Sequence, residues 1–98
     1  MPEVRLVNNF DYMSIAATFD QGRVTLTVGR RGVKCTTKPG VCSDKTLDRL
    51  CLALDRITQA SSGGTLLERM NRLVVVAGMA SDIDDMAILF EDEVPVKA

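Results

Sequence analysis

The chain has 98 residues, 46% of them hydrophobic and 26% charged, with a formal net charge of −1; that is ordinary globular composition for one domain, too apolar for a disordered segment and too short for a second core. The balance indicates neither a polybasic nucleic-acid binder nor an acidic DNA mimic. Histidine is absent, which removes Ser–His and Cys–His dyads, an imidazole base and imidazole zinc ligands.

Val4-Arg5-Leu6-Val7 is a short apolar run that fits an edge strand, and Asn8-Asn9 closes it with a turn signal. Phe10-Asp11-Tyr12 then leads into residues 13–38, a β-meander around which the rest is arranged. Its turns are Asp20-Gln21-Gly22, read as a three-residue loop whose glycine needs φ > 0, and Gly29-Arg30-Arg31-Gly32. Period-two alternation assigns Met13, Ile15, Ala17, Phe19, Val24, Leu26, Val28, Val33 and Cys35 to one face. Ser14, Thr18, Arg23, Thr25, Thr27, Lys34, Thr36 and Lys38 fall on the other. One face needs a core; the other meets water or a partner. Pro39-Gly40 ends the sheet region, residues 1–40.

Three helices are predicted, over 43–60, 65–77 and 81–90, followed by a tail over 91–98. Ser43 or Asp44 caps the first, whose stripe is Leu47, Leu50, Cys51, Leu54 and Ile57, with Leu52 on the opposite side. Ser61-Ser62-Gly63-Gly64 stops it, and Thr65-Leu66-Leu67-Glu68 opens the second with a capping box. That helix gathers Leu66, Leu67, Met70, Leu73, Val74 and Ala77, while Val75 and Val76 stand outside the stripe. Residues 72–76 also read as a strand, because three β-branched residues run together there. Ile83, Met86, Ala87 and Phe90 form the third stripe, and Glu91-Asp92-Glu93 marks its end, since acids oppose the dipole of a last helical turn. The expectation is a single α+β domain: a three- or four-stranded antiparallel meander with two or three helices on one face.

No cofactor or catalytic motif appears. Cys35, Cys42 and Cys51 fit no metal knuckle and read as reduced thiols of a cytoplasmic protein without a signal peptide. No apolar run approaches the length that spans a bilayer, so no membrane partner is expected. Asp82, Asp84 and Asp85 are placed for a helix dipole rather than converging on a metal. The charge is uneven: residues 1–45 hold seven Lys/Arg against four Asp/Glu, net +3, and residues 46–98 hold five against nine, net −4. The basic share lies on the outward sheet face, where Arg23, Thr25, Thr27 and Lys34, with Arg30 and Arg31 at a hairpin tip, are the candidate binding residues. Threonine is a strand former, so a plain solvent face built from β-propensity produces the same pattern. As a docking surface it suits an acidic protein partner or, alternatively, nucleic acid; the aromatic interleaving of single-strand binders is missing, with Tyr12 only at its start. Leu52, Val75 and Val76 together form a candidate homodimer patch.

Residues 11–22, Asp11-Tyr12-Met13-Ser14-Ile15-Ala16-Ala17-Thr18-Phe19-Asp20-Gln21-Gly22, resemble the first hairpin of small phage-encoded type I-F anti-CRISPR proteins. These share a Tyr-Met-polar-Ile-Ala run before an aromatic-acidic-polar-Gly turn. The resemblance implies an antiparallel sheet followed by helices joined through a glycine-containing loop, for which Ser61-Ser62-Gly63-Gly64 stands. It also implies a non-enzymatic inhibitor that binds the RNA-guided surveillance complex in the host cytoplasm and occupies the surface target DNA needs. The aromatic that the family uses for contact falls at Phe19, which alternation places inward, and no site residue is carried over.

Overall fold

The alternation in residues 3–37 resolves into four strands: β1 (Glu3–Asn8), β2 (Tyr12–Phe19), β3 (Gly22–Gly29) and β4 (Gly32–Thr37). A computed structural model of the chain describes residues 1–96. The strands pair in sequence order as one antiparallel sheet, β1-β2-β3-β4, which makes the first strand an edge and the whole an α+β fold. Both later hairpins close on two-residue tips. Phe19 pairs with Gly22 and Gly29 with Gly32, so only Asp20-Gln21 and Arg30-Arg31 lie outside the ladder. The first turn is thus one residue tighter than read from sequence, although Gly22 does take a positive φ, +139°.

Ile15, Ala17, Phe19, Val24, Leu26 and Val28 are buried on the inner face. Three helices cover it: α1 (Asp44–Gln59), α2 (Leu66–Gly78) and α3 (Ile83–Asp92). α1 lies over β4 and β3, α2 over β1 and β2, and α3 packs against both helices. Each start carries the cap its residues call for. Ser43 Oγ accepts from the Thr46 N–H, Thr65 and Glu68 form the full capping box, and Asp82 accepts from the Asp85 N–H at 2.7 Å. Thr46, buried, donates to Asp84 at 2.6 Å and ties the start of α1 to the start of α3. Arg69 Nη1 donates to the carbonyls of Ile57 and Thr58, which have no partner within the last turn of α1.

Residues 72–76 lie within α2, as the predicted helix over 65–77 has them rather than the alternative strand. Four other readings need correction. Val76, set outside the stripe, is in the core at 2% exposure, while Val75 is 55% exposed. α2 touches the sheet on one side and α3 on another, so its buried arc is wider than a single stripe. Leu67, placed on the buried side by pattern, is exposed. α3 continues through Glu91 and Asp92, because its acids meet arginines from other helices: Glu91 accepts from Arg49 and Glu93 from Arg72 at 2.6 Å. Val94, placed in the tail over 91–98, packs against the core; the last two residues of that tail, 97 and 98, lie outside the described residues.

The Arg49 contact carries a pH signature. Its hydrogen bond and charge hold the Glu91 carboxyl below the ordinary carboxylate range. A depressed carboxylate contributes stability above its unfolded value and loses it as pH falls. Arg49→Gln should therefore lower the neutral plateau slightly and flatten the acid limb of a stability–pH curve. An acid limb identical to wild type would remove the pair from the account.

Candidate interaction surface

With all three helices on the inner face, the outer sheet face has no covering element among the described residues. The register sets its rows. Glu3, Thr18 and Arg23 align across β1–β3. Arg5, Ala16, Thr25 and Thr36 form the next row, then Val7, Ser14, Thr27 and Lys34. Tyr12, Gly29 and Gly32 close the face. Its centre is small and polar (Ser14, Ala16, Thr25, Thr27), so it is flat, and charge is confined to the margins.

All six candidate residues belong to this face or its tips, but they do not form one cluster. Thr27 and Lys34 lie at the end that carries the β3–β4 tip, with Arg30 and Arg31. Arg23 lies at the other end, near the β2–β3 tip, where its Nε donates to Thr18 Oγ1 at 3.2 Å; Thr25 stands between. Arg5, on the outer face of β1, is paired with Glu3 at 2.8 Å. Arg30 reaches Asp11 at 3.6 Å, a contact between side chains that are 76% and 74% exposed and therefore worth little. Among the described residues no ion pair involves Arg31 or Lys34. Like Arg23 and Lys38, they can meet a partner without giving up an ion pair.

The sequence reading missed an apolar group at the same end. Antiparallel order brings the β1–β2 tip, residues 9–11, beside the β3–β4 tip. Phe10 in that tip is 91% exposed, Tyr12 on the outer face 40% and Val7 47%. Val7 opposes Ser14, so Tyr12 is its diagonal neighbour, within reach of an aromatic ring. The available signal was the dipeptide spacing of Phe10 and Tyr12 around a turn, which alternation alone does not weigh.

Of the candidate homodimer patch, Val76 is buried and drops out, while Leu52 on α1 and Val75 on α2 are exposed. Elsewhere, the groups with shifted titration have local structural causes. Burial, then the adjacent Cys51 thiol, pushes the Cys35 thiol far above its ordinary value. Burial, with Asp84 and Asp44 nearby, raises Cys42. The Thr65 N–H and hydroxyl lower Glu68 within its capping box. Cys35 is half-buried rather than fully enclosed, as are Cys42 and Cys51. Native Cys35 should still react with a maleimide many times more slowly than in the unfolded chain, because thiolate is the reactive form; equal rates would contradict the packing of β4 against α1.

No helix among the described residues is long and apolar enough to cross a membrane. No protein-family model matches this chain, and neither a curated protein nor a solved structure matches it.

Proposed function

We propose that the protein is a non-enzymatic interaction module that docks an acidic surface of a protein partner on the outer face of its sheet. One observation carries the reading: the sheet's inner face is packed by three helices, while its flat outer face is uncovered and bordered by Arg30, Arg31 and Lys34. Uneven charge in a chain of net −1 supports a local, directional role for these cations rather than general polyanion affinity. The resemblance of residues 11–22 to type I-F anti-CRISPR proteins extends the proposal to a phage inhibitor of the RNA-guided surveillance complex, acting in the host cytoplasm; because a surface that binds DNA is itself cationic, the basic face would dock an acidic surface beside the DNA path and the rest of the domain would cover that path.

Purified type I-F surveillance complex, labelled target DNA and this protein test it in one mobility-shift titration. The inhibitor reading predicts loss of the DNA–complex band as protein approaches the concentration of complex, with no shift of DNA by the protein alone. Retention of the band at large excess overturns the inhibitor reading. Direct binding to DNA, with log affinity falling linearly in log salt, overturns the protein-partner reading in favour of a nucleic-acid module.

A further inference from the structure

Phe10 and Tyr12 are the exposed aromatic side chains of the sheet, and both lie at its basic end. Burying a phenylalanine side chain is strongly favourable, and the chain leaves Phe10 in water. The tip that carries it is nevertheless ordered. The Asn9 N–H donates to the Tyr12 carbonyl at 2.8 Å, the Phe10 N–H donates to Asn9 Oδ1 at 2.8 Å, and Asp11 contacts Arg30 on the neighbouring tip. With the tip's backbone held in advance, less ordering is left to the docking step. Tyrosine, arginine and phenylalanine are also the types that concentrate in interface cores.

The chemistry of the occupant follows from what surrounds the rings. Arg31 and Lys34 lie at this end of the sheet, where Asp11 faces Arg30 and Asp55 of α1 lines the inner side of the same tip. Single-stranded nucleic acid would need rings spread along its path, whereas here they occupy one corner and the centre of the face is Ser14, Ala16, Thr25 and Thr27. A protein with an apolar socket rimmed by carboxylates fits all of these features.

We propose that Phe10 and Tyr12 are the apolar anchor of the docking surface, seating in a socket of the partner protein while its carboxylates meet Arg31 and Lys34. This rests on the docking reading above and adds the residues that carry its affinity. The test is a random-peptide display selection on the whole protein, with recovered peptides synthesised, labelled and titrated by anisotropy against wild type, Phe10→Ala and the double variant Arg31→Glu/Lys34→Glu. Thermal unfolding of each variant should match wild type, since the residues are exposed. The expected peptides combine a large apolar residue with Asp or Glu, and bind at least about tenfold more weakly to Phe10→Ala and to the charge reversal. Peptides that keep full affinity for Phe10→Ala yet fail on the reversal overturn the anchor and leave the docking face standing. Peptides indifferent to both variants, or a selection yielding none that needs Phe10, overturn the anchor; indifference to the reversal counts against the docking reading as well. Labelled oligo(dT) run in parallel must not bind in a Phe10-dependent way; if it does, the rings serve bases and the protein socket is wrong.

Discussion

Phe90→Ala is expected to remove about 3–5 kcal/mol of folding stability, the cost of truncating an enclosed phenylalanine when its neighbours cannot close the gap. Phe90 is fully buried, along with Ile83, Met86 and Ala87, on the face that α3 turns toward α1 and α2. Single domains hold only about 5–15 kcal/mol in total, so this one side chain decides whether the helical layer survives. For a domain of this size the change corresponds to a fall in melting temperature of roughly 12–40 °C. Ile88→Ala provides the control on the same helix. Ile88 is exposed, and its truncation should stay within about 0.5 kcal/mol. Equal effects of the two substitutions in a urea titration would mean that α3 is not seated as described.

Gly22→Ala is the second large effect, and its origin is the backbone. Gly22 holds φ at +139°, a conformation that costs a residue bearing Cβ about 1–3 kcal/mol. An added Cβ would also lie 2.8 Å from Val41 Cγ2 and 3.0 Å from Val41 Cγ1, which adds on the order of 1 kcal/mol of repacking. Val41 follows the turn that carries the chain from β4 into α1, so the clash connects the hairpin to that crossover. The two costs can be separated. Placing Val41→Ala beside Gly22→Ala relieves the clash and leaves the backbone strain, so the double variant should be more stable than the sum of the single effects. Strict additivity would show that Val41 does not press on the turn; a neutral Gly22→Ala would remove the strained turn itself.

The meander, the helix count and the caps were legible because each rests on local chemistry. Alternation marked the inner face from Ile15 to Val28, and Thr65 with Glu68 announced a helix start three residues apart. What was not legible depends on partners distant in the chain. Glu91 and Glu93 look like a helix terminator until Arg49 and Arg72 meet them from α1 and α2. Val76 looks like surplus surface until α2 is seen to touch both the sheet and α3. The candidate surface shows the same division. The outward set of Arg23, Thr25, Thr27 and Lys34 followed from period two, but the meeting of the β1–β2 and β3–β4 tips is a property of the assembled sheet. Only there do Phe10 and Tyr12 come to share an end with Arg30 and Arg31.

The central claim is that the outer face, at its Arg30–Arg31 end, makes the partner contact. It is tested most directly by the affinity of the type I-F surveillance complex for wild type and for Arg30→Glu/Arg31→Glu, measured at one salt concentration on proteins of matched melting temperature. Both arginines are exposed tip residues, so the reversal should change stability by no more than about 0.5 kcal/mol each. The account predicts that wild type binds and that the reversed protein, still folded, binds at least about tenfold more weakly. Equal affinity of the two proteins, or no binding by wild type, would contradict it.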